Sequence, residues 1–205
     1  MLSKKAGEDK IKKEVKKDDS KCEQLEYLIN EYSHKDGYRE AIAEEIKEFK
    51  EVVIDIAEAI TNAATTMVDG KRHPHHYRKS KNTLECAKKI LLGKQSNISA
   101  TKNFDNLHEI IIKSLEGLKY IGPLYYYDTA FLIGAHLDKL PKKIYLHAGT
   151  KKGAKNMEIN IRNKKYIEME DILCHKIFKK YCLKPYEIED FLCIYKEELS
   201  TIFKK

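Results

Sequence analysis

The stretch Leu115-Glu116-Gly117-Leu118-Lys119-Tyr120-Ile121-Gly122-Pro123-Leu124 decides how the centre of the chain folds. Upstream of it, Phe104, Leu107, Ile110, Ile111 and Leu115 recur at the spacing of a helix with one apolar face. Gly117 stops that helix. Pro123 suits the first turn of the next, because its φ is already helical and its missing N–H is not needed there. The spacing therefore predicts two helices, one from Phe104 to Gly117 and one from Pro123 to Leu137, joined by a tight turn that carries glycine.

Similar periodicity extends to both sides. Leu25, Leu28, Ile29 and Tyr32 predict a helix that begins at Cys22 and stops before Asp36-Gly37. Ile42, Ile46, Phe49, Val53, Ile56, Ile60, Ala63 and Met67 keep one face throughout, which predicts a single helix of about 45 Å from Tyr38 to Val68. After a polar loop, Lys71 to Lys79, a helix from about Asn82 to Leu92 is closed by Gly93, and a further loop leads to Phe104. Beyond Pro141, Lys143 to His147 reads as extended or helical, and Thr150 can cap a short helix running to about Met157. The alternation around Arg162-Asn163-Lys164, with Ile159, Ile161, Ile167 and Met169, suits a small β-hairpin, in competition with helix after Glu168. Helices from Glu168 to Tyr181 and from Pro185 to Phe203 complete the pattern.

The expected fold is all-α, a compact multi-helix domain with room for one small β-hairpin. The chain has 205 residues, enough for a core without a disulfide or metal staple. We expect one helical domain over residues 22–205, preceded by a charged frayed or disordered tail over 1–21, where eight lysines face five acids. No apolar run approaches the roughly 20 residues needed to span a bilayer, and the start runs into charge, so a cytoplasmic protein with no membrane partner is expected. Five scattered cysteines read as buried thiols. The net charge of +7 is compatible with a polyanionic partner without requiring one.

Leu118, Ile121, Gly122 and Pro123 resemble the hairpin of the helix-hairpin-helix superfamily of DNA-binding motifs. The resemblance implies a helix-hairpin-helix-like centre from about Phe104 to Leu137 and a phosphate held by backbone N–H groups near Gly122. The chain departs from the family pattern where Tyr120 replaces a first hairpin glycine and Tyr126 replaces a small residue. Among DNA glycosylases of that superfamily a catalytic aspartate follows about 20 residues downstream, but Ile144 to Thr150 contains no carboxylate. The resemblance therefore implies kinship of fold and not base excision. The runs Gly122 to Ala130, Tyr145 to Gly149 and Pro185 to Leu192 are also similar to conserved bacterial proteins without an assigned activity.

The residues expected to contact DNA or RNA are Gly122 and Lys119 in the hairpin, Lys71, Arg72 and Arg78 in a basic loop with interleaved Tyr77, and Lys151 and Lys152 at a helix start. The competing reading leaves these lysines and arginines on solvated faces. Asp128 and His147 are the candidates for an acid–base pair if the chain is an enzyme acting on nucleic acid or a phosphorylated substrate, or for a structural hydrogen bond if it is not. His73, His75 and His76 lack a fourth convergent ligand, so neither a metal nor another cofactor is expected. Three readings remain open: a non-enzymatic nucleic-acid-binding protein, such an enzyme, and a helical scaffold using the Tyr38–Val68 face, with self-association possible in each.

Overall fold

In a computed structural model, the structure describes residues 2–34, 37–65, 67–68, 71–72 and 79–204, with side chains from residue 18 onward except at 67–68 and 71–72. It is all-α. In chain order the elements are α1 (Leu2–His34), α2 (Tyr38–Glu51), α3 (Ile56–Thr65), β1 (Met67–Val68), β2 (Lys71–Arg72), α4 (Lys81–Leu92), α5 (Gln95–Ser99), α6 (Phe104–Leu115) and α7 (Pro123–His136). There follow β3 (Ile144–Tyr145), α8 (Ala148–Asn156), β4 (Tyr166–Ile167), a single 3-10 turn (Met169–Asp171), α9 (His175–Lys180), α10 (Pro185–Ile194) and α11 (Lys196–Phe203). None of the described helices is long and apolar enough to cross a membrane.

The chain divides into two compact units, Met1–Arg39 with Lys143–Lys205, and Glu40–Lys142. In the second unit, α3 packs on α4 and α7, and α6 packs along α7. Helix α7 is the central element: nine of its residues, from Tyr125 to Ala135, are buried, so it has little of the polar face that α6 shows. Helix starts are set by local chemistry. The Ser80 hydroxyl accepts the Thr83 N–H at 3.1 Å, and the Asn103 side chain accepts the Asn106 N–H at 2.9 Å.

In the first unit, α8 lies against α10 and α11, and α1 packs on α9 and α11. Leu25, Ile29 and Tyr32 of α1 are fully buried with Phe178, Phe191 and Leu199. Gly149 and Gly153 make the α8–α10 contact possible. A methyl group on Gly149 would run into Cys193 Sγ, and one on Gly153 into the Leu192 carbonyl. The N-terminal segment is continuous with the rest of α1, which passes through position 21 without a break.

Several elements differ from the sequence-based expectation. The single helix expected over Tyr38–Val68 is two helices and a strand. Asp55 caps α3 by accepting the Glu58 N–H at 2.8 Å, while the Glu58 carboxylate accepts the Ile54 N–H at 2.7 Å. That reciprocal cap releases the chain from α2 at Val52. The loop expected after Gly93 contains α5. Thr150 is not the cap of α8 but a buried residue in its first turn; His147 holds the cap position. The local hairpin expected around Arg162 is replaced by a longer-range pairing, with Ile144 opposite Ile167 and Tyr145 opposite Tyr166. The last expected helix divides at Tyr195 into α10 and α11. Finally, the cysteines are not all buried thiols: Cys22 and Cys174 form a disulfide, and Cys86 and Cys182 are exposed.

Candidate functional site

The turn between α6 and α7 gathers several groups suited to binding an anion. Helix α6 ends when Glu116 leaves helical geometry, and Gly117 follows with φ +92°, a conformation that glycine adopts without strain. The Ile121 N–H then donates to the Leu118 carbonyl at 3.3 Å, closing a tight turn with Tyr120 at φ 66°. Tyr120 thus holds a left-handed backbone position and is 80% exposed.

Gly122 is the N-cap of α7, with Pro123 at the first helical position and no side chain capping the end. The Tyr126 N–H reaches back to the Gly122 carbonyl at 3.1 Å. The Leu124 and Tyr125 N–H groups therefore belong to the uncapped positive end of a 14-residue helix. A Cβ added at Gly122 meets nothing within 4 Å, and its φ of −148° is open to any residue. Neither crowding nor backbone strain within the chain calls for glycine at this position.

Lys79 completes the arrangement. Its ammonium donates to the Tyr120 carbonyl at 2.6 Å and lies 5.6 Å from the centre of the Tyr125 ring. Partial burial lowers its pKa, and the charge of Asp128 on α7 opposes that shift. Tyr125 donates its hydroxyl to the Ala64 carbonyl at 2.5 Å, which ties α7 to α3, and burial raises its pKa. Lys119 is exposed on the same turn. Of the expected residues, Lys119, Gly122 and Asp128 therefore lie at or near this turn, together with Lys79, the end of the expected basic loop, and Tyr120, neither of which sequence reading counts among the contact residues.

The other candidates lie elsewhere in the chain. The backbone of Lys71 and Arg72 forms β2, paired with β1. Arg78 and the histidines His73, His75 and His76 lie outside the described residues. Lys151 and Lys152 sit exposed in the first turn of α8, in the other unit, and Lys152 pairs with Glu197. Among the described residues, no three His, Cys, Asp or Glu side chains converge as metal ligands.

His147 belongs to a buried polar cluster in the first unit, built against the start of α10. Its Nε2 lies 2.7 Å from Glu189 Oε1, and the Thr150 hydroxyl donates to the same oxygen. Glu187 accepts from Arg39 Nε at 2.7 Å and from the Lys184 N–H at 2.6 Å, while Asp190 accepts the Tyr32 hydroxyl at 3.1 Å. Burial, reinforced by Asp190, pushes the Tyr32 phenol far above its usual range. Each acid in the opening turns of α10 thus has a partner, as a buried charge requires. Neither a protein-family model, nor a curated protein, nor a solved structure matches this chain.

Proposed function

We propose that this chain is a non-enzymatic nucleic-acid-binding protein that meets its ligand at the α6–α7 turn. The observation that carries the reading is the uncapped start of α7 at Gly122, open to approach and flanked by Lys79, Lys119 and the exposed ring of Tyr120. A phosphate placed there accepts the first free N–H groups of α7 and gains from the helix dipole. Lys119 and Lys79 add positive charge, and Tyr120 offers a face on which an unpaired base can stack. The net charge of +7, with Lys71, Arg72, Arg78, Lys151 and Lys152 contributing, supplies the sequence-independent attraction.

Two alternatives have less support. The enzymatic reading needs Asp128 and His147 as acid and base, yet His147 is buried and engaged by Glu189. The scaffold reading relied on a continuous Tyr38–Val68 face, which the cap at Asp55 interrupts.

Fluorescence anisotropy with labelled single-stranded DNA, duplex DNA and structured RNA at two salt concentrations tests the proposal. For about three neutralised phosphates, a fourfold rise in salt should weaken binding roughly 20- to 40-fold. Tyr120→Ala should cost the single strand about five- to tenfold and the duplex little. No binding at low salt, or binding indifferent to salt, removes the proposal.

A further inference from the structure

The Cys22–Cys174 bridge borders an open groove at the edge of the core, against which Cys174 packs. Both cysteines are partly exposed and line a groove of about 590 Å³, together with Ile172, Leu173, His175 and Lys176. That volume falls within the range of small-molecule sites, roughly 300–1,000 Å³. Glu170 and Asp171 also border the groove, but Lys179 donates to Glu170 at 2.8 Å and Lys164 to Asp171 at 3.0 Å. Lys176, exposed on α9, has no ion-pair partner among the described residues. The groove therefore joins a disulfide, an apolar wall and an uncompensated cation.

The position of the bridge separates fastening from folding. Cys22 lies just before Leu25 in α1, and Leu25, Ile29 and Tyr32 are buried in the hydrophobic core of this unit. The cross-link spans 152 residues and ties the middle of α1 to the start of α9.

We propose that Cys22–Cys174 is a reversible thiol–disulfide switch that exchanges with a carboxylate-bearing low-molecular-weight thiol seated in this groove. The incoming thiolate attacks the Cys22 sulfur, the S–S bond breaks, and Cys174 leaves as a thiolate near Lys176 and takes a proton from water. A second thiolate displaces Cys22 from the mixed disulfide. The protein gains two electrons and two protons, and two small thiols become one small disulfide. The reverse reaction, driven by that small disulfide, closes the bridge. Lys176 holds the carboxylate of the small thiol, and reduction removes the covalent tie between α1 and the start of α9 while the buried face of α1 stays in place.

The full chain is equilibrated in buffers of reduced and oxidised glutathione, quenched in acid, alkylated and digested for mass spectrometry. Cys22 and Cys174 should become alkylated together over one two-electron transition, with the exposed Cys86 and Cys182 modified throughout as internal standards. Cys174→Ser treated with oxidised glutathione should carry the mixed disulfide on Cys22. Lys176→Glu should slow reduction by glutathione about threefold or more and leave reduction by 2-mercaptoethanol unchanged. Independent alkylation of the two cysteines, or a bridge that opens only after urea is added, overturns the switch. Equal slowing with both thiols, or with neither, overturns recognition of the carboxylate. The double variant Cys22→Ser/Cys174→Ser should retain slow amide exchange from Leu25 to Tyr32; loss of that protection makes the bridge a structural staple and also overturns the proposal.

Discussion

Lys79 donates its ammonium to the Tyr120 carbonyl at 2.6 Å, so one cation just before α4 holds the turn that leads into α7. The same ammonium covers the face of Tyr125, whose hydroxyl is bound to α3 through the Ala64 carbonyl. Lys79→Met retains much of the side-chain bulk and removes the charge. It should lower stability by about 1 kcal/mol in urea unfolding and weaken single-strand binding more than a surface lysine would, because the turn itself loosens. Unchanged stability would show that the turn holds its shape without Lys79.

Two glycines in one turn should respond in opposite ways. Gly117, at φ +92°, should lose about 1–2 kcal/mol on substitution by alanine. Gly122, extended and unobstructed, should accept alanine within about 0.5 kcal/mol. Thermal unfolding of the two variants checks both. A large loss at Gly122 would assign that glycine to folding and weaken the argument that it serves a ligand.

The contrast between these positions reflects what a sequence makes visible. Helices α4, α6 and α7 were legible because apolar spacing agreed with Gly93 and Gly117 as stops and Pro123 as a start, while the Ser80 and Asn103 caps went unread. The break between α2 and α3 was hidden because Phe49, Val53, Ile60 and Ala63 stay in phase across it, although Asp55 and Glu58 carried a capping signal. The hairpin glycine was legible; the contribution of Lys79 was not, because its contact with Tyr120 spans 41 residues. Likewise nothing local joins Thr150 to Glu189, 39 residues apart, or Cys22 to Cys174.

Glu189 accepts the Thr150 hydroxyl and lies 2.7 Å from His147 Nε2, and all three residues are buried. Glu189→Ala should strand both partners and cost about 2–4 kcal/mol, measured by urea unfolding, while Glu189→Gln should cost less by keeping one acceptor oxygen. Binding at the α6–α7 turn should be unaffected in whatever fraction remains folded. Loss of binding at full folding would instead point to a functional role for this cluster.

Acid should unfasten the surface ion pairs. The ammonium of Lys164, followed by the Glu168 N–H, holds the Asp171 carboxyl below its usual range, and Lys179 does the same for Glu170. A carboxyl depressed in the folded state adds stability above its unfolded pKa, near 4, and loses it as pH falls through the folded value. The urea midpoint should therefore fall between about pH 5 and pH 2, and Asp171→Asn should flatten part of that slope. A slope unchanged in Asp171→Asn would remove this pair from the account.

The central claim is that Gly122 is open because a phosphate approaches it. Its most direct test compares the parent chain, Gly122→Ala and Gly122→Glu in anisotropy titrations with single-stranded DNA and RNA at low salt, after circular dichroism shows equal folding. The account predicts near-parent affinity for alanine and at least a tenfold loss for glutamate, beyond that caused by a neutral-to-glutamate change on a distant exposed surface. Equal binding by the parent and Gly122→Glu would contradict it and leave the α6–α7 turn as a packing device.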